Sequence, residues 1–132
     1  MNKQKTIVLP LVSAIFIIGI FFGACYLSDV NNYKKAVANI TIAEVDLSKI
    51  PDGVYDGSYN VGFIAAKVRV TVSNGIIQNI KLVEHKNEQG SSAEVIADNI
   101  VKEQKINVNT ISGATNSSRV IKKAVENALL QP

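Results

Sequence analysis

The chain has 132 residues, of which 47% are hydrophobic and 19% are charged, and its formal net charge is +3. All 11 acidic residues and every basic residue except Lys3 and Lys5 follow a long apolar run near the amino terminus, so the rest of the chain is nearly neutral. A nearly neutral chain without a basic stripe gives no reason to expect a nucleic-acid partner. The length leaves room for one small domain beside the apolar run.

The apolar run covers residues 7–27 and contains no charged side chain. A helix rises about 1.5 Å per residue, so this run reaches across a hydrocarbon core of about 30 Å. It is longer than the apolar core of a cleaved signal peptide. Residues 1–27 are therefore predicted to be a membrane anchor that contacts lipid.

The charges that flank the anchor set its orientation only weakly. Lys3 and Lys5 precede it, and Lys34 and Lys35 follow it. An amino-terminal anchor with basic residues before it most often leaves the rest of the chain outside the cytoplasm. We therefore expect a single-pass protein of the cell membrane whose folded domain lies on the extracytoplasmic side.

Cys25 is the single cysteine of the chain. It excludes an intramolecular disulfide and a metal site built from several cysteines. The small residues before it leave two interpretations open, a lipidation site or a thiol embedded in the membrane.

Residues 28–45 connect the anchor to the folded domain. Their apolar residues recur at helical spacing, at Val30, Tyr33, Val37 and Ile40. This spacing predicts a juxtamembrane helix or stalk. A turn follows at residues 50–53, which contain a proline and a glycine. The domain is predicted to cover residues 46–132.

Alternating apolar residues then predict an antiparallel sheet of at least three strands. The dipeptide formed by Asn74 and Gly75 favours a tight hairpin, because both residues tolerate positive φ. The residues predicted to share a face are, strand by strand, Tyr55, Tyr59 and Val61; Val68, Val70 and Val72; and Ile80 and Leu82.

Two helices are predicted after the sheet. A polar loop ends at Ser91 and Ser92, either of which can cap a helix over residues 93–102. A strand-like stretch at residues 106–108 precedes a second, amphipathic helix over residues 119–130. Two helices packed on one face of a small antiparallel sheet make an α+β domain. The inward-facing residues of the first helix are predicted to be Val95, Ile96, Ile100 and Val101.

The hydroxyl-rich decapeptide at residues 109–118 lies directly before the last predicted helix. The start of a helix has unpaired N–H groups and a partial positive charge, which suit a phosphate. Gly113 and Ala114 would let a phosphate approach the backbone closely. A simpler interpretation is that Ser117 or Ser118 caps the helix. The residues alone leave both interpretations open.

This decapeptide resembles the flavinylation motif of the FMN-binding domain family. That family includes the covalent-flavin subunits of the sodium-pumping NADH:quinone oxidoreductase and of the Rnf ferredoxin complex. The resemblance implies an FMN cofactor whose phosphate is joined to the side-chain oxygen of Thr115 by a dedicated flavin transferase. The residues that carry the resemblance, and that it implies bind the cofactor, are Ser112, Gly113, Ala114 and Thr115, followed by Asn116, Ser117 and Ser118.

The resemblance covers residues 46–130. Residues 52–59 resemble the family's opening strand, and residues 84–94 resemble its central loop and helix start. His85 lies in that loop, so the resemblance implies a flavin contact, whereas the residue alone favours a solvated loop side chain. The family usually has an acidic residue three places before the motif serine. Here that residue is Asn109, an amide that lacks the charge of a carboxylate.

Other motifs that carry catalysis are absent from the sequence. It has no nucleophile elbow, paired-histidine motif, dinucleotide-binding glycine run or phosphate-loop lysine. Together with the resemblance, this predicts a cell-envelope flavoprotein that relays electrons between membrane redox partners rather than a self-contained enzyme. The alternatives are a flavin-free interaction module of the same fold and a protein that binds FMN reversibly.

Overall fold

A computed structural model describes residues 3–87 and 90–130. The chain divides into two compact units, Met1–Lys35 and Ala36–Pro132. The described residues of the first unit are helical, and the second unit is an α+β domain, as the sequence predicts.

Helix α1 extends over Lys3–Ala38 and contains 36 residues. Its stretch Thr6–Ala38 is long and apolar enough to cross a membrane, and none of its most apolar window is buried. Side chains such as Leu9 and Phe16, which are 76% and 70% exposed, would be unfavourable in water and favourable in lipid. The helix therefore suggests an amino-terminal membrane anchor.

Three antiparallel strands form one sheet in the order β1-β2-β3, where β1 is Gly53–Asn60, β2 is Ala65–Ser73 and β3 is Ile76–Lys86. The predicted meander is confirmed. The turn between β2 and β3 contains Asn74 and Gly75 at φ values of 54° and 71°. Both values are positive, which is the conformation that a tight hairpin requires of these residues.

Register shifts between β2 and β3 keep the apolar side chains on one face of the sheet. Val70 pairs with Ile80 and Val72 pairs with Ile77, so one extra residue lies between these pairs on β3. Strict alternation would place Gln78 beside Val72 instead. The bulge thus buries Ile77, which is 1% exposed.

Helix α2, Ile96–Glu103, follows a single 3₁₀ turn, Ser91–Val95. The predicted serine cap is wrong, because Gly90 occupies the cap position and no described side chain caps the turn. Val95 is 42% exposed, contrary to the prediction, whereas Ile100 is buried as predicted. A 3₁₀ turn has about three residues per turn, so it rotates Val95 off the face that α2 buries.

Helix α3, Thr115–Leu129, begins about one turn earlier than predicted. Residues 106–108, which resemble a strand in sequence, pair with no strand in the described part of the chain. Instead, the Glu44 carboxylate accepts hydrogen bonds from the N–H groups of Ile106 at 3.3 Å and Asn107 at 2.9 Å. A side chain thus satisfies the backbone groups that a neighbouring strand would otherwise pair.

The domain core lies between the helices and one face of the sheet. Helix α3 packs on β1 and β2, and α2 packs on β3. The other face of the sheet is exposed and mostly polar, and Arg69 forms an ion pair with Asp56 there at 2.7 Å. Side chains with less than 2% exposure come from sheet, helices and loop alike: Val68, Val70, Val72, Ile77, Ile96, Ile100, Ile106, Ile121 and Val125.

Candidate functional site

The chain turns at Ser112 and Gly113 directly before α3 begins. Gly113 has a φ of 79°, a left-handed conformation that favours glycine. The Ala114 N–H donates to the carbonyl oxygen of Ile111 at 2.9 Å and so closes the turn. A β-carbon added at Gly113 would meet no atom of the described residues within 4 Å. The outer side of this turn is therefore open space beside the start of the helix.

Thr115 is the first residue of α3, and its side chain is exposed, as is that of Asn116. No described side chain caps this helix. Caps normally satisfy some of the first N–H groups of a helix, and these groups carry the positive end of its dipole. An uncapped start beside an exposed hydroxyl suits an anionic ligand such as a phosphate.

The two serines that the sequence suggests as caps lie inside the fold instead. Ser118 is fully buried, and its hydroxyl donates to the carbonyl oxygen of Ala114 at 2.7 Å and accepts from the Ile111 N–H at 3.0 Å. Ser117 is 1% exposed, and its Oγ lies 3.2 Å from Nε2 of His85. The capping interpretation is therefore wrong, and both hydroxyls hold the turn and the helix start in place.

His85, near the end of β3, has a side chain that is only 2% exposed. Its Nδ1 lies 3.2 Å from Oε1 of Glu94 in the 3₁₀ turn, while its Nε2 faces Ser117. The interpretation of His85 as a solvated loop residue is therefore wrong. Its imidazole joins β3, the 3₁₀ turn and α3, three elements that are separated in sequence.

Lys122 on α3 lies beneath the loop that leads to Thr115 and is 5% exposed. Its ammonium group donates to Asn107 Oδ1 at 3.0 Å and to the Val108 carbonyl oxygen at 2.9 Å. Burial lowers the pKa of Lys122, and the neighbouring positive charge of Arg119 lowers it further. Lys122 and Glu44 thus both bond to the backbone of residues 106–108 and hold the segment before the motif in place.

The sequence model of the FMN-binding domain family matches residues 62–130 of this chain. The matched stretch contains β2, β3, α2, the turn at Gly113 and α3 with Thr115. It begins just after β1, so the strand that resembles the family's opening strand lies outside the matched residues.

Comparison with known proteins gives a relative and the family to which the chain belongs. An uncharacterized protein of Treponema pallidum (strain Nichols) is 33% identical over 88 residues, which is 64% of this chain. The chain spans only 24% of that relative's length. No solved structure matches the chain. Because the family match covers more than half of its residues, the chain belongs to the FMN-binding domain family, and FMN is its cofactor.

Proposed function

We propose that this protein is a membrane-anchored electron carrier whose FMN is attached through its phosphate to the hydroxyl oxygen of Thr115. One observation carries the proposal: Thr115 is exposed at the start of α3, and no described side chain caps that helix. A phosphoester at this oxygen would place phosphate oxygens beside the first backbone N–H groups of the helix. Such N–H groups and the helix dipole stabilise a phosphate's negative charge.

The residues around Thr115 fit a phosphate group sterically as well. Ser112 and Gly113 are exposed, and the space beside Gly113 is open. Ser117 and Ser118 are buried and act by holding the helix start in place, so the group that would face the phosphate is the backbone of the turn and of the first residues of α3. A flavin transferase needs the same access, because it must reach the Thr115 hydroxyl in the folded domain.

We infer an electron-transfer role rather than a self-contained enzymatic one from the side chains near the motif. Bound FMN supplies the redox chemistry. The chain contributes the Thr115 hydroxyl as the attachment point, the positive end of the α3 dipole and open space beside the domain surface for the flavin. The imidazole of His85 is buried between Glu94 and Ser117, so it does not stand free to exchange protons with a substrate.

The proposal includes an extracytoplasmic position for the domain and membrane redox partners. Basic residues before the apolar helix favour this orientation, although those after it nearly balance them. A covalent attachment suits this compartment, because a flavin that dissociated there would not be replaced from a cytoplasmic pool.

Peptide mass mapping tests the linkage. The full chain is co-expressed with a flavin transferase, and trypsin, which cleaves after Lys105 and Arg119, releases residues 106–119 as one peptide. We expect this peptide to carry the mass of FMN in the wild type and in T110V, and to lack it in T115V. Thr110 is the matched control, since it is an exposed threonine of the same loop.

Three results would contradict the proposal in different ways. FMN retained on T115V would place the linkage at another residue. A yellow protein that loses its colour on denaturation, without any mass increase, would indicate reversible binding. A colourless protein would favour the flavin-free interaction module.

Orientation and electron transfer have separate readouts. In a Cys25→Ala background, a cysteine introduced at the exposed Lys81 should react with a membrane-impermeant thiol reagent added to intact cells. In isolated membranes, the flavin absorbance should bleach when a respiratory reductant is added and return on aeration. In T115V membranes the flavin absorbance should neither bleach nor return. In the labelling experiment, an unreactive Lys81→Cys variant would place the domain in the cytoplasm.

A further inference from the structure

A chain of hydrogen bonds connects Glu94, His85 and Ser117. Nδ1 of His85 lies 3.2 Å from Glu94 Oε1, and Nε2 lies 3.2 Å from Ser117 Oγ. The side chain of His85 is 2% exposed and Ser117 is 1% exposed, whereas Glu94 is 53% exposed. The chain therefore runs from a surface carboxylate, through a buried imidazole, to the first turn of α3.

The direction of these hydrogen bonds follows from what each group can donate. A carboxylate only accepts, so the proton of a neutral imidazole belongs on Nδ1, where it faces Glu94. Nε2 then carries a lone pair, and the Ser117 hydroxyl must donate to it. The Asn87 side-chain amide lies 3.4 Å from Nδ1, but the His85 carbonyl oxygen is at the same distance and can accept from it instead.

The neighbouring glycine holds Ser117 in this position. A β-carbon at Gly90 would overlap Oγ and Cβ of Ser117, so the two residues are in close contact. The Gly90 N–H in turn donates to Asn87 Oδ1 at 3.1 Å. The Ser117 side chain thus packs against Gly90 on one side and donates to His85 on the other.

This arrangement matters for the helix start because Ser117 is the third residue of α3. In a capping box, a glutamate or glutamine at this position reaches back to the N–H of the cap residue, but here the Ala114 N–H already donates to the Ile111 carbonyl oxygen. In this protein the hydroxyl is drawn inward by His85, away from the exposed side where Thr115 and Asn116 lie.

We propose that His85 is a positioning residue for the FMN site, acting through Ser117. Held by Glu94 with its proton on Nδ1, it accepts a hydrogen bond from the Ser117 hydroxyl at Nε2 and fixes the first turn of α3 with Thr115 facing outward. The first N–H groups of the helix and the Thr115 hydroxyl then keep one fixed geometry toward the phosphate. This inference rests on the proposed function, because it concerns the residue to which the flavin is attached.

The first test reads the imidazole directly and needs no flavin. The full chain is labelled with ¹⁵N at histidine, in detergent micelles at roughly pH 8, where an ordinary histidine is neutral. As His85 is the only histidine, its two ring nitrogens are assigned without ambiguity. We expect a protonated Nδ1 and an unprotonated, hydrogen-bonded Nε2. A proton on Nε2 would overturn the proposal.

The second test measures the initial rate of FMN attachment by a flavin transferase. An asparagine at position 85 can reproduce the Nδ1 contact but not the reach of Nε2, whereas a glutamine can reach Ser117. We expect H85N and S117A to slow attachment roughly ten- to a hundredfold, the scale expected when a reacting group is misplaced by about 1 Å. H85Q should restore the rate to within a few-fold of the wild type.

The rates are normalised to folded protein, so a loss of stability alone does not produce the expected pattern. If H85N fails to fold, S117A still decides, since alanine is tolerated within a helix. The double variant H85N/S117A should be no slower than the slower single variant, because both substitutions remove the same hydrogen bond between His85 and Ser117. Additive losses would overturn the proposal.

Failure of this inference is distinguishable from failure of the proposed function. A wild-type chain that receives FMN at the same rate as S117A would overturn the positioning role alone. A wild-type chain that receives no FMN would overturn the proposed function, and the inference would fail with it.

Discussion

Gly57 of β1 lies against the backbone of Ala124 on α3, with no room for a β-carbon between them. The Ala128 N–H borders the same space, so the backbone of α3 packs directly against β1 here. We expect G57A to lower the free energy of unfolding by about 2–3 kcal/mol, because the helix must move away to admit the methyl group. The measurement is urea unfolding of the full chain in detergent, followed by a spectroscopic signal of the domain.

Gly53 on the same strand is the matched control. The nearest atom that a β-carbon there would meet is in the side chain of Tyr55, at 3.5 Å, which is an ordinary contact. G53A should therefore be close to the wild type in stability. Equal unfolding midpoints for G57A and G53A would contradict the close approach of α3 to β1.

Asn109 occupies the place where the FMN-binding domain family usually has an acidic residue. It is exposed in the loop before Ser112, so a carboxylate there is not desolvated. If the transferase recognises that charge, N109D should receive FMN severalfold faster than the wild type, because a charged acceptor makes stronger hydrogen bonds than an amide. The measurement is the time course of FMN attachment by intact mass. N79D, which adds a charge at an exposed position of β3, should not differ from the wild type.

The segment before residue 46 contributes to the stability of the domain. Glu126 is 4% exposed, and its carboxylate accepts from the Ala43 N–H at 3.1 Å and from Lys123 Nζ at 2.8 Å. Lys123 Nζ also donates to the Thr41 carbonyl oxygen at 3.1 Å. We expect a soluble fragment of residues 46–132 to be less stable than one of residues 36–132 by about 2–4 kcal/mol, because several charge-assisted hydrogen bonds are lost. Urea unfolding of the two fragments measures the difference, and identical midpoints would refute it.

Lys122 gives the domain a specific dependence on pH. Burial holds its pKa in the folded protein below the ordinary value of 10.5, so the unfolded chain binds more protons in the window between these two values. The stability due to this group is therefore present above pH 10.5 and is lost as the pH falls through the folded pKa. Relative to K122M, the wild type should gain free energy of unfolding as the pH rises through this window. Parallel stability curves for the two proteins would contradict the burial of the charge.

Much of the fold can be predicted from the sequence because local chemistry determines it. Asn74 and Gly75 set a hairpin, and alternation along β2 sets a sheet face, since both signals come from neighbouring residues. The start of α3 is predicted less well. Ser117 and Ser118 look like caps in sequence, but their hydroxyls bond to His85 and to the turn at Ala114.

The parts of the site that sequence cannot predict depend on contacts between distant residues. Nothing near Glu44 indicates that its carboxylate takes the place of a strand beside residues 106–108. Lys122 lies in an amphipathic helical pattern, and nothing in that pattern indicates that its side chain is buried beneath the same loop. Such pairings arise only when the whole domain has folded, so periodicity and short motifs do not reveal them.

The position of β1 has a practical consequence for anyone who shortens this protein. Because the family match begins at Gly62, a fragment trimmed to residues 62–130 omits the strand that pairs with β2 from Gly53↔Val72 to Asn60↔Ala65. Such a fragment would leave β2 as a bare hydrogen-bonding edge, ready to pair with other copies. Insolubility of that fragment would therefore reflect the missing strand and say nothing about whether the intact protein folds or holds its flavin.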